Sequence, residues 1–252
     1  MGPPDVKIDV NTGFRYPCSQ EDIDDLQDRT SLPRNHGDEL VNVYTAVEEL
    51  KDSLQGYRGY DHITKAALVR LRGLEEDFPS LITYPDMVLK IFHDLDLILF
   101  DKTLTGNVYL RVKCGMAGTY GDCCPRGKWS KRVCITINSH NFVYPLDRNG
   151  KRIPGKPRST YKDLILTLIH EMLHAFLLVV CGFLEEEKAD KEHEERVRKN
   201  RQPGTIPNGN HDQAHGIGFQ LVMKVVQGRL NKMGRPWNEI DVTQNGRYLV
   251  DC

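Results

Sequence analysis

A polar pattern inside an apolar helix restricts this chain more than any other feature of its 252 residues. Thr167 to Phe176 reads TLIHEMLHAF, with His170, Glu171 and His174 set in a run that also holds Leu164, Ile165, Leu168, Ile169, Met172, Leu173, Leu177 and Leu178. The run predicts a buried helix starting after Ser159 or Thr160 as N-cap and stopping near Gly182. On a helix, positions i and i+4 lie one above the other, so His170 and His174 can offer imidazoles to one ion with Glu171 beside it. Two imidazoles and a carboxyl in apolar surroundings are costly unless hydrogen-bonded neighbours or a metal satisfy them. The H-E-x-x-H spacing is that of zinc hydrolases, in which the Glu serves as general base.

A catalytic zinc takes three protein ligands and keeps a position for water, so the pattern is one ligand short. Downstream, Gly209 to Gln220 reads GNHDQAHGIGFQ and runs into an apolar helix over Ile217 to Leu230, offering His211, Asp212 and His215. A turn region over Pro203 to Gly209 would return the chain towards the first helix. Residue types and spacing leave these three open, and Asp212 could equally orient a ligand or cap the helix that follows. His193 lies in a nearly all-charged segment, Glu185 to Arg201, and reads as an exposed histidine on a solvated helix or excursion.

A formal net charge of -1 advertises no polyanion partner for the molecule as a whole, so any such signal must be local. The opening MGPPDVKIDV has neither the basic nor the apolar region of a secretory signal. Leu164 to Leu184 is apolar enough to raise a membrane span, but His170, Glu171 and His174 interrupt it. Seven cysteines suit reduced thiols in the nucleus or cytosol. Cys114, Cys123, Cys124 and Cys134 could form a second metal site, although without a C-x-x-C pair ordinary buried or surface thiols are the simpler reading.

Residues 1–37, rich in proline and acids, read as a flexible arm. Apolar periodicity predicts helices from Asp38 to near Gly56 and over Asp61 to Glu76, a helical extension covering 38–83. Pro85 opens a third helix with an apolar face from Met87 to Phe100. Asn107 to Lys113 and Arg132 to Asn138 alternate like strands around the Gly-rich piece Gly115 to Gly127, which predicts a small antiparallel sheet. Trp237 to Cys252 reads as a strand or hairpin turning at Asn245-Gly246. The fold class is therefore α+β, with helices around a small sheet. Between Arg126 and Arg158 nine basic residues face one acid, Asp147, and Trp129, Phe142 and Tyr144 lie among them. Arg126, Lys128, Trp129, Lys131 and Arg132 are the residues expected to track phosphates and stack bases of single-stranded DNA. The alternative is a solvated loop balanced by the acidic segments.

From Tyr84 to Met233 the chain resembles the SprT-like metalloprotease domain of Spartan and its relatives. The resemblance is carried by FDKTL (Phe100 to Leu104), the Cys- and Gly-containing sheet region, HEMLHA (His170 to Ala175) and HGIGF (His215 to Phe219). It implies a zincin-like core over 84–233, one catalytic zinc on His170, His174 and His215, Glu171 as general base, and nuclear proteolysis of proteins bound or crosslinked to DNA. Two departures stand out. A charged insertion at about 183–208 lengthens the connection to the third histidine, and Phe176 stands where Spartan has Tyr, so this chain must do without that hydroxyl or recruit another donor, such as Tyr144 or Tyr161. A peptidase without DNA dependence and a non-catalytic, zinc-stabilised DNA-binding or adaptor module are the alternatives; 234–252 would be a C-terminal extension.

Overall fold

The computed structural model describes residues 7–8, 15–16, 40–56, 62–77, 85–113, 116, 119–125, 133–142, 160–182, 188–189, 191–192, 195 and 215–243. Five long helices are described: α1 (Val43–Gly56), α2 (His62–Asp77), α3 (Pro85–Leu99), α4 (Tyr161–Val180) and α5 (Ile217–Lys232). The strands are β1 (Lys7–Ile8), β2 (Arg15–Tyr16), β3 (Val108–Lys113), β4 (Gly121–Pro125) and β5 (Val133–Asn138). Strands β1 and β2 form a short antiparallel pair; the remainder of the arm, 1–37, lies outside the described residues.

The helix starts have local causes. The first helix begins at Val43 because the Asn42 side chain accepts from the Thr45 amide at 2.9 Å, an N-cap later than the expected start at Asp38. Pro85 does open α3. That helix ends in a tight turn through Asp101 and Lys102, both at positive φ (51° and 61°). Buried Asp96 holds the turn: its carboxylate accepts from the Leu104 amide (3.1 Å), the Thr105 amide (2.8 Å) and the Thr105 hydroxyl (2.6 Å). The FDKTL segment is thus a clamped helix exit leading straight into β3.

The sheet corrects the antiparallel expectation. Its order is β3-β5-β4, with β3 parallel to β5 and β4 antiparallel to it. The extra strand, β4, comes from the Gly-rich piece; GDCCP lacks the β-branched and aromatic residues that mark strands, so composition hid it. With a neighbour on each side, β5 is buried at all six positions rather than alternating. Helix α4 lies across β4 and β5 and also meets α1, α3 and α5, which makes it the centre of one continuous apolar core. It is the one described helix long and apolar enough to cross a membrane, and sixteen of its side chains are buried inside this fold.

The segment after α5 closes the same core. Trp237 is 2% exposed in a short 3-10 turn (Trp237–Glu239) where a strand was expected, and the Asn245-Gly246 turn lies outside the described residues. Gln227 grips this segment through the Ile240 carbonyl (3.0 Å) and the Val242 amide (2.8 Å), and Lys162 donates to the Glu239 carbonyl (2.7 Å). Of the charged insertion, Lys188, Ala189, Lys191, Glu192 and Glu195 are described as helical, with Ala189 buried and the four charged residues exposed.

Candidate metal centre

Helix α4 starts with a capping box. Thr160 accepts from the Asp163 amide (3.2 Å), and the Asp163 carboxylate accepts from the Thr160 amide (2.6 Å), so of the two expected N-caps the structure selects Thr160. From that fixed start, the helical repeat brings His170 and His174 onto one face, ring centroids 5.0 Å apart. His170 and Glu171 are buried at 4% and 3% exposure; His174 is half-buried.

His215 arrives from the chain just ahead of α5. Gly216 is the N-cap of that helix, without a side-chain bond. Gly218 permits the close approach: a Cβ there would meet Val43 Cγ1 at 3.1 Å and Leu177 Cδ2 at 3.4 Å, so α5 seats directly on α1 and α4. As a result His215 Nε2 comes within 3.3 Å of His170 Nε2, and its ring centroid lies 4.9 Å from His170 and 5.1 Å from His174. One ligand atom from each of the three histidines falls within 4.8 Å of the others, close enough to hold one metal ion. Phe219, one turn into α5, stacks on His215 (4.2 Å between centroids) and also leans on His174 (4.5 Å) and His170 (5.0 Å). The three rings therefore share one apolar wall.

Burial sets the electrostatics. It pushes His170 down to about 2 and His174 to about 4, with neighbouring imidazoles adding to the effect, and it lowers His215 as well. All three are held neutral, the state that binds a metal. Glu171 is pushed up to about 8, first by burial and then by the charge of Asp122 on β4. Among the described residues no hydrogen bond satisfies its carboxyl. Strand β4 runs directly behind it, where the backbone of Gly121 approaches the Glu171 side chain.

The remaining sequence-derived residues divide clearly. Arg126, Lys128, Trp129, Lys131 and Arg132, together with Cys114, His193, His211, Asp212 and Tyr144, lie outside the described residues. Phe142 is fully buried, edge-on to Tyr120 with centroids 5.8 Å apart, so it is a core residue and offers no face to a base. Phe176 is buried against Phe100 (5.8 Å). Tyr161 cannot supply the hydroxyl missing there. It sits nine residues before His170, about 13 Å along the helix, and its own hydroxyl donates to the Leu71 carbonyl at 2.8 Å. Among the described residues the histidine trio is the one metal-competent group, and no described cysteine joins such a cluster. Gly121 and Phe219 are the contributors that residue-type reasoning passed over. Phe219 at least stood inside HGIGF, whereas nothing local marked Gly121. No family model, curated protein or solved structure matches the chain.

Proposed function

We propose that the chain is a zinc-dependent endopeptidase of the SprT-like class, with a zincin-like core, acting on proteins bound or crosslinked to DNA in the nucleus. The observation that carries the reading is the convergence of His170, His174 and His215 with Glu171 buried beside them. The residues fit the ion. Two nitrogens on a tetrahedral zinc, each about 2.05 Å from it, stand about 3.3 Å apart, and His170 Nε2 and His215 Nε2 are 3.3 Å apart. Neutral imidazoles suit zinc, and three of them leave one tetrahedral position open.

A bound zinc would supply an acidified water and a Lewis acid for the scissile carbonyl. The chain does the rest. His170, His174 and His215 fix the geometry, with Phe219 packed over their rings. Glu171 takes the proton from the attacking water and returns it to the leaving amine. Its carboxyl, raised by burial, is poised for exchange near neutrality; beside a dication it titrates lower. Strand β4 is an edge strand of the described sheet and passes this carboxyl, so an extended peptide can align along it by strand addition.

The DNA component rests on the resemblance and on the basic stretch from Arg126 to Arg158; β3 separately exposes Arg111 and Lys113. Zinc analysis and cleavage of an unfolded protein test both parts. Glu171→Gln should keep stoichiometric zinc and lose proteolysis, and wild-type cleavage should accelerate with single-stranded DNA at low salt. A fully active Glu171→Gln protein removes the mechanism; rates indifferent to DNA leave a peptidase of ordinary protein substrates.

A further inference from the structure

We infer that Gly121 is a positioning residue: its bare Cα forms the floor on which the Glu171 carboxyl rests, so the place of the general base is set by the strand and not by the helix alone. The assignment rests on the peptidase reading above. A Cβ built at Gly121 would lie 2.9 Å from Glu171 Oε1, 3.0 Å from Glu171 Cγ and 3.0 Å from Thr167 Cγ2. Ordinary contacts of this kind are 3.4 Å or longer, so any side chain at position 121 must move something.

The question is what gives way, and the surroundings of β4 answer it. The strand entry is nailed to β5. The Asn138 amide donates to the Tyr120 carbonyl (2.9 Å), and its side chain donates to the carbonyls of Met116 and Thr119, both at 2.7 Å. Asn141 adds a second donor to the Thr119 carbonyl at 3.0 Å, and the Thr119 hydroxyl donates to the Gly121 carbonyl. Asn138 is itself 1% exposed, so these bonds are shielded from water. Helix α4 is fixed too, buried along its length. Between two fixed elements the soft member is the Glu171 side chain, which has rotatable bonds and no hydrogen bond among the described residues to hold it. Gly121 is thus required for room rather than for backbone freedom.

Gly121→Ala tests this in the full chain. With a zinc-loaded protein and fluorescently labelled, unfolded casein as probe, kcat should fall on the order of 100-fold, the effect of displacing a reacting group by about 1 Å. KM and zinc affinity should stay within about threefold, since the ligands are untouched and the main chain of β4, along which the peptide would align, stays in place. In the Glu171→Gln background the same substitution should cost less than about threefold, because there is no base left to displace. Adding Thr167→Ser, which removes the other crowded methyl, should not restore kcat. Structures of the metal-free wild type and variant should show the Glu171 carboxyl displaced with β4 in place. Should Gly121→Ala not fold, Asn141→Ala carries the test, with a several-fold loss of kcat in wild type and none in Glu171→Gln. Unchanged kcat, equal losses in both backgrounds, recovery on Thr167→Ser, or movement of β4 with Glu171 stationary overturns the assignment. A wild-type protein that cleaves nothing overturns the peptidase reading instead, and the pair of metal-free structures still decides whether Gly121 sets the carboxyl.

Discussion

Two buried carboxyls, Asp96 and Glu171, show how the same group is used in opposite ways in one core. Asp96 is completely buried and accepts three hydrogen bonds from the turn it clamps. Those bonds oppose the effect of burial, and its pKa rises only to about 6. Glu171, 3% exposed, receives no such bonds among the described residues, and burial with Asp122 nearby carries it to about 8. A satisfied carboxyl holds backbone in place; an unsatisfied one is available for proton transfer. A third case, Asp94, sides with Asp96: it is 5% exposed and takes two bonds from Arg70, at 2.5 and 3.1 Å, tying α2 to α3.

The largest expected effect breaks the pair apart. Glu171→Gln should reduce proteolysis by about 10²–10⁴-fold while leaving stability nearly unchanged, because near neutrality the metal-free carboxyl is already largely protonated and an amide matches its shape. Asp96→Ala should do the reverse. It strands the buried Leu104 N–H, removes the bonds from the Thr105 amide and hydroxyl, and should lower the unfolding free energy by roughly 2–4 kcal/mol, with activity retained at temperatures where the protein stays folded. Urea denaturation and a protease assay on both variants read the contrast. If Asp96→Ala abolished cleavage at full stability, or Glu171→Gln unfolded the chain, the division of labour would be wrong.

How much of this the sequence revealed follows from how local each cause is. Helix α4, its cap and the pairing of His170 with His174 were legible because a period of 3.6 and a capping residue lie within one stretch. The start of α1 was placed too early, since apolar periodicity outweighed Asn42. The β3–β5 parallel pairing and the strand in GDCCP were not legible, because sheet partners are chosen by contacts distant in sequence. His215 became preferred over its neighbours through the HGIGF resemblance, and the structure brings it to the pair on α4. Gly121 could not have been found at all, since its role exists only where β4 crosses α4.

The histidines extend the comparison to pH. His93, His170 and His174 are all held below their unfolded values, at about 4, 2 and 4, with burial the leading cause. Below about pH 6.5 the unfolded chain takes up protons there that the folded chain refuses, so their contribution to stability is present at high pH and lost as pH falls. Glu171 and Asp96 act with the opposite sign, because their raised values let the folded state hold protons that the unfolded state releases. Between pH 6 and 5 the three histidines outnumber the two carboxyls. The metal-free protein should therefore lose stability on acidification by about 1.4 kcal/mol per pH unit for each net proton. Urea midpoints across this window measure the slope, and a stability that rose on acidification would mean that the histidines are not buried as a neutral cluster.

The smallest effect concerns Phe176, the departure from the Spartan pattern. Its ring is 3% exposed and packs on Phe100, directly after the clamped end of α3, so the position belongs to the satisfied, structural half of the core. Phe176→Tyr would add a hydroxyl to an apolar contact, at a cost of about 1 kcal/mol if it finds some partner. No gain in turnover should follow, because His170 and Glu171 already stand on the helix without help from this ring. A melting curve and a cleavage assay on the one variant decide the matter. A tenfold faster enzyme with an unchanged melting point would show that a hydroxyl here reaches the cleft, and would move Phe176 from the packing side of the comparison to the chemical side.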